Sequence, residues 1–412
     1  VIIMKSNFYE SIVIYILKWL SLSLLLGFLG ANLVFALRST IRILRSLVQH
    51  NSLFYPLLGG LLVGLIIYYF DVRASGVGTN RYIEYAKQNK AVDQVGKLLI
   101  SKFSNTSITL GLMGVEGLVG PILLLGSSLA LSVQVLAKKI NLNLIKEQNE
   151  YRVLHVCGAA AALGPLLGAP IGSGIFVSEV LYESSLNYND LFPAILSGGF
   201  GYFFYNLLFQ IQHLNYNIYL PELNPGDIFL IIIVSLIAGF LGQGIILIYN
   251  LLTEWVYNLS LNLILKPVVA GLIAALLIKL FDINEVLTKM KLEQIIFSGL
   301  TAKVLISLLL FKILITIMVI SSGGSVAMVD TAILAGGLLG NLLHFFFPLP
   351  LNVLVVTGMS AILASLANVP LATIILISEI FGVNLSLSII LGSIIGFLIG
   401  RAQTVYQYLE ME

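Results

Sequence analysis

Residues 351–400 are apolar almost throughout, yet NVP cuts them at 368–370. A single membrane crossing takes roughly 20 residues, so this run is too long for one helix and too apolar for a solvated surface. Comparable runs lie at about 11–37, 53–70, 98–137, 153–182, 190–209, 226–252, 264–281, 294–320 and 331–347. Clusters of Gly, Pro and Ser interrupt or border them: ASGVG (74–78), GLVGP (117–121), GAPIGSG (168–174) and SSGGS (321–325). In hydrocarbon a broken backbone survives only where protein buries it or water adjoins it. The pattern predicts a bundle of long, tilted and broken helices, the kind of architecture that ion and solute transporters use for binding near the midplane.

Composition agrees. Of 412 residues 58% are hydrophobic and only 10% are charged, where a soluble domain carries about 25%. The chain reads as an all-α polytopic membrane protein, placed in the cell membrane, or the inner membrane of a prokaryote. The apolar part of its N-terminal stretch is too long for a signal peptide and reads as the first spanning helix. Polar stretches at 71–97, 138–152, 183–190 and 210–226 read as loops, and no soluble domain is expected. A net charge of +2 without a basic run gives no reason to expect nucleic acid as a partner. Cys157 stands alone and reads as an apolar packing residue. His50, His155, His213 and His344 are too dispersed for metal spacing, so neither a metal nor a cofactor is expected.

An internal repeat is visible. APIGSGIFVSEV (169–180) matches VPLATIILISEI (369–380), with Pro170 and Pro370 each standing nine residues before a glutamate, Glu179 and Glu379. LVGPILLLGSSLA (118–130) likewise matches MVDTAILAGGLLG (328–340). Offsets of 200 and 210 predict two duplicated halves, about 50–210 and 226–400, in a single transmembrane domain spanning 1–412. The pattern leaves their relative orientation open. Glu179 and Glu379 are expected to hold helix ends by hydrogen bonds inside the protein.

The breaks also carry chemistry. A helix N-terminus offers free N–H groups and about half a positive charge. Several such ends aimed at one spot within a membrane bind an anion without lysine or arginine. The breaks at ASGVG, GLVGP, before Pro170 and at SSGGSVAMVDT are candidates, and Ser75 adds a hydroxyl. Taken singly, each break is better explained by close helix packing.

In order and spacing these elements resemble the CLC chloride channel and transporter family over nearly the whole chain. ASGVG stands where that family has a GSGIP-type loop, with Gly78 in place of the proline. KFSNTSITLGLMGVEGLVGP resembles the stretch ending in a GREGP-type motif, LGAPIGSGIFVSEVLY the FNAPLAGxLFxxEvxx helix, and SSGGSVAMVDTAILAGGLLG the SGGSGGxFxPxxxxGxxxG segment. NVPLATIILISEIF fits a further helix, and TVYQYLE the terminal segment with a pore tyrosine. The resemblance implies two inverted-topology repeats, a homodimer in the lipid bilayer, and a chloride ion held by Ser75, Tyr406 and the amides of Met328 and Val329. Serine rather than proline at position 75 implies chloride over nitrate, and the serine loop disfavours fluoride.

Family members carry a gating glutamate in GxEGP. GVEG (114–117) keeps a glutamate, Glu116, but lacks the proline; GLVGP (117–121) keeps both glycines and the proline. The second fit also keeps the upstream TLG in register, so the gate position falls at Val119, followed by Gly120. The family's inner proton-linked carboxylate corresponds to Val180. Valine cannot carry a proton, so the resemblance implies a passive anion channel. Two acids keep an alternative open, a proton- or cation-coupled anion antiporter: Glu116, otherwise a residue at the mouth, and Asp330, otherwise a helix cap turned away from the pore. A non-conducting structural protein is the third reading. An enzyme is not expected, since no HExxH, GxSxG or Cys–His arrangement is present and GSG (172–174) is not a nucleophile elbow.

Overall fold

A computed structural model describes residues 2–48, 54–89, 91–142, 144–145, 147–181, 187–210, 218–281, 296–297, 299–401 and 403–406, with side chains from Val13 onward. Among these residues there are fifteen α-helices and no strand. The first half holds α1 (Ile2–Leu47), α2 (Phe54–Leu65), α3 (Thr79–Gln88), α4 (Val95–Leu112), α5 (Val119–Lys139), α6 (Asn149–Leu167), α7 (Pro170–Glu179) and α8 (Tyr188–Phe209). The second holds α9 (Pro225–Asn258), α10 (Leu265–Phe281), α11 (Ala302–Ser321), α12 (Met328–Leu343), α13 (Leu351–Ala367), α14 (Pro370–Phe381) and α15 (Leu387–Gly400).

The long apolar runs are cut at the Gly and Pro clusters. The run 98–137 becomes α4 and α5, separated by the non-helical stretch 113–118. Runs 153–182 and 351–400 break ahead of Pro170 and Pro370, each the first residue of a new helix. Proline is favoured there because its missing N–H is one that a helix start leaves unpaired anyway. The residue before each adopts a non-helical conformation, as the proline ring requires. The polar stretch 71–97 is not merely a loop. It contains α3, whose apolar face buries Tyr82, Ile83 and Ala86. Of the loop expected at 183–190, residues 183–186 lie outside the described residues while 188–190 begin α8; part of that at 210–226 also lies outside.

Among the described residues, five helical segments are long and apolar enough to cross a membrane: Val13–Leu47, Val119–Lys139, Tyr188–Phe209, Pro225–Asn258 and Ala302–Ser321. The remaining apolar helices are shorter, and α13 and α12 are buried nearly all round. Of the long helices, α1, α8 and α9 are less than half buried, whereas α5 and α11 are mostly buried.

The two halves repeat each other's packing. The pairs α5–α6, α6–α8, α7–α8 and α1–α8 recur as α12–α13, α13–α15, α14–α15 and α9–α15. Backbone contacts match as well. A Cβ on Gly126 would lie 2.3 Å from the Gly158 carbonyl oxygen, and one on Gly336 would lie 2.4 Å from that of Gly358. Only glycine permits such crossings, through the close approach of small residues in membrane helices.

The relative direction of the halves is visible where α7 meets α14. Glu179, at the C-terminal end of α7, accepts hydrogen bonds from Leu371 N (3.0 Å) and Ala372 N (2.6 Å) at the start of α14. Glu379, near the end of α14, accepts from Ile171 N (3.2 Å) and Gly172 N (2.7 Å) at the start of α7. Each helix ends where the other begins, so the two are antiparallel about a local two-fold axis. The repeats are inverted. Each carboxylate also satisfies amides that would otherwise be orphaned at a helix start.

The exchange predicts unequal costs. Glu179 is buried, at 7% exposure, and Glu379 is half-buried. Charge-assisted bonds contribute about 1.5–3 kcal/mol each. Thermal unfolding in detergent is expected to show a larger loss of stability for Glu179→Ala than for Glu379→Ala.

Candidate anion site

Three of the four candidate breaks converge. In the first, Asp71 accepts from Arg73 N (2.9 Å) and pairs with the Arg73 guanidinium at 2.8 Å, tying a 3₁₀ turn at Val72–Ala74 that ends at Ser75. Gly76 N then donates to Gly323 O at 3.3 Å, joining this loop to the segment before α12. The second break, 113–118, runs against that segment too, since Ala327 N donates to Gly117 O at 3.1 Å. Gly117 has φ +143, and a Cβ there would sit 2.9 Å from the Ala327 carbonyl oxygen, so both conformation and space call for glycine. Gly120 closes the triangle: a Cβ on it would meet Val77 Cγ1 at 2.6 Å. The fourth break does not join them, because Glu379 already takes the α7 amides.

A polar stripe on α4 clamps two of these loops. Lys102, Asn105, Thr106 and Thr109 recur at helical spacing and are all buried. Lys102 Nζ donates to Ala74 O (3.1 Å) and Gly76 O (2.7 Å). Asn105 Nδ2 donates to Ala74 O (3.0 Å) and Gly323 O (3.3 Å). Thr106 Oγ1 and Ser325 Oγ lie 2.8 Å apart, and Ser325 N donates to Thr109 Oγ1 at 3.1 Å. These four residues were not singled out by motif. A cue was nonetheless present: Lys102 has a counterpart in Lys312, 210 positions on, the offset of the repeat.

Of the expected anion-binding residues, Ser75 and the start of α12 border this junction. Ser75 is half-buried, and its Oγ donates to Val72 O at 2.7 Å, so serving an anion requires that hydroxyl to turn. Met328 and Val329 are the first two residues of α12, are 0% and 1% exposed, and follow Ala327, which offers no side-chain cap. Their amides belong to the four that a helix start leaves without intrahelical partners. Tyr406 is buried and is held by Thr404 Oγ1, which accepts from Tyr406 N at 3.1 Å, and by the Val405 N to Leu366 O bond. Val77, Val119, Met328, Val329 and Tyr406 belong to one buried apolar cluster.

Val119 begins α5 and Val180 follows α7; both are 0% exposed and packed in that cluster. Glu116 lies on the non-helical stretch, where it pairs with Arg45 Nη1 at 2.8 Å; the two side chains are 43% and 44% exposed. An ion pair so open to its surroundings contributes under about 1 kcal/mol. Asp330 is the third residue of α12, and its Oδ2 accepts from Val119 N at 3.1 Å. It caps, but the helix it caps is α5 in the other repeat.

With this geometry in place, the chain was compared with known proteins. It matches the family described as "Voltage gated chloride channel" over residues 11–144 and 136–401. The chain belongs to that family. As a member it is a multi-pass integral membrane protein of anion transport. A Methanocaldococcus jannaschii protein is 24% identical over 96% of this chain and 97% of its own length. The voltage-gated ClC-type chloride channel ClcB of Shigella flexneri is 26% identical over 82% of this chain and 80% of its own length. Among solved structures, a CLC-type fluoride/proton antiporter superposes with a TM-score of 0.81 at 19% identity, covering 97% of this chain and 98% of that one. A slow cyanobacterial Cl⁻/H⁺ antiporter gives 0.74 at 16% identity, covering 94% of each. At these identities the solved structures bear on fold alone.

The α4 stripe carries its own test. Thr109→Val removes the acceptor of Ser325 N and the donor to Asn105 Oδ1. Leaving a buried partner unsatisfied costs about 1–3 kcal/mol, so this variant should unfold at a lower temperature in detergent and carry anions more slowly in liposomes.

Proposed function

We propose that this CLC-family protein is a passive chloride channel, with the ion held by Ser75, Tyr406 and the amides of Met328 and Val329. The observation that carries this reading is the apolar pair Val119 and Val180. Both are buried, and both stand where the family resemblance puts a proton-carrying glutamate. Coupling needs a side chain that takes up and releases a proton along the route, and valine has none. Helix amides without a direct cationic partner suit an ion that must also leave. ClcB, named as a chloride channel, supports chloride as the substrate.

Purified protein in liposomes tests this. With potassium and valinomycin clamping the voltage, a chloride gradient should dissipate without proton movement. Protons driven uphill by chloride would overturn the channel reading in favour of antiport through Asp330 or Glu116. Efflux no faster than from empty vesicles would mark a non-conducting scaffold. Ser75→Pro is expected to shift preference from chloride toward nitrate, read as the ratio of efflux rates.

The reading includes a homodimer. The repeat-related Ile171 and Leu371 are 48% and 52% exposed beside the local two-fold axis, forming an apolar surface for a second copy. The one native cysteine is buried, so Leu371→Cys should cross-link two subunits while the parent chain stays monomeric on a denaturing gel.

A further inference from the structure

The 3₁₀ turn that leads into Ser75 is organised around one carboxylate. Asp71 follows α2 and a π-helical turn, Ile66–Phe70, and is only 7% exposed. Such turns are rare and gather at functional sites. The Asp71 N–H closes this one by donating to Ile66 O at 3.1 Å.

The side chain then reaches forward. Asp71 Oδ1 accepts from Arg73 N at 2.9 Å, which caps the turn. The two carboxylate oxygens also accept from Arg73 Nε (2.9 and 3.2 Å) and from Nη2 (2.8 Å). A forked pairing of this kind combines strength with a fixed geometry. The remaining arm, Arg73 Nη1, donates to Asp93 O at 2.9 Å, in the stretch between α3 and α4. One ion pair thus joins the end of α2, the turn and the approach to α4.

Ser75 takes its hydroxyl direction from this turn. Val72 O accepts from both Ser75 N (3.2 Å) and Ser75 Oγ (2.7 Å). That carbonyl belongs to the residue between Asp71 and Arg73, so the pair on either side of it restrains where it points. An anion at Ser75 has to draw the hydroxyl away from Val72 O. The exchange costs least when the rest of the turn stays in place. Lys102 already holds the carbonyls of Ala74 and Gly76, on either side of Ser75. Asp71 fixes the turn from its other end.

We propose that Asp71 is a positioning residue for the anion, holding the 3₁₀ turn so that Ser75 passes its hydroxyl from Val72 O to a halide without the loop rearranging. This rests on the anion-transport reading and names what prepares its Ser75 donor.

The role calls for an ionised carboxylate. Burial by itself raises the Asp71 carboxyl, but hydrogen bonds from the Arg73 side chain and N–H, with the charges of Arg73 and of Lys97 on α4, bring it below its ordinary value. Tyr85 on α3 lies against the same guanidinium. A carboxyl held low keeps its effect above its ordinary value and loses it as pH falls through the lowered one. Anion affinity should therefore be flat from about pH 7 down to about pH 4 and fall below that.

Chloride titration calorimetry on the full chain in detergent, with thermal unfolding alongside, tests the idea. Asp71→Ala should raise the chloride Kd about tenfold at neutral pH. Asp71→Asn keeps an acceptor for Arg73 N but not the charge. It should raise Kd about threefold and abolish the fall in affinity at acid pH, and it serves if the alanine variant does not fold. A lower unfolding temperature with Kd unchanged in either variant would reduce Asp71 to a structural tie and overturn the proposal. No chloride binding to the parent chain would instead overturn the anion reading, and the proposal with it.

Discussion

The junction of broken helices depends on hydrogen bonds made by one face of α4. Loop backbone cannot lie within a bilayer unless its carbonyls and amides find partners in the protein. Lys102, Asn105, Thr106 and Thr109 supply those partners to Ala74, Gly76, Gly323 and Ser325, two loops about 250 residues apart in sequence. An apolar residue at any of the four would leave a buried group unsatisfied, a cost greater than the bond's net gain. The stripe is therefore what allows Ser75 and the start of α12 to exist as irregular backbone in adjacent positions.

Symmetry supplies the rest of the frame, and departures from it set the two halves apart. The α7–α14 pair is fully reciprocal, each carboxylate capping the other helix, and this reciprocity suits a rigid hinge-free contact on the axis. The α5–α12 pair is not reciprocal. Gly120 is pressed against Val77 while its counterpart carries a carboxylate. A duplicated fold provides two equivalent helix starts, and a single substitution in one copy is enough to make them unlike.

Much of this was legible in the sequence because it rests on local backbone chemistry. The breaks ahead of Pro170 and Pro370, the glycine loops and the two repeat offsets follow from residues whose conformational limits are strong. Counting glycines and proline put the gate position at Val119, which is the first residue of α5. What escaped was non-local. The helix within 71–97 is polar on one side and carried no apolar run to mark it. Lys102 and Lys312 belong to no motif, though their separation equals the repeat offset. The α7 N-terminus looked like a fourth anion donor until its amides proved to be engaged by Glu379, a residue 207 positions from Gly172. Asp330 was legible as a cap but not as a cap for another helix, because the partner's identity depends on tertiary packing.

The placement of charge suits a site that would hold an ion without trapping it. A cation in direct contact with a dehydrated anion would bind it strongly, since Coulomb attraction in a low-dielectric interior is several times that in water. Lys312 is instead bonded to a backbone carbonyl, Glu116 O, at 2.7 Å, and Asp330 to a backbone amide, Val119 N, so neither charge is left bare in the interior.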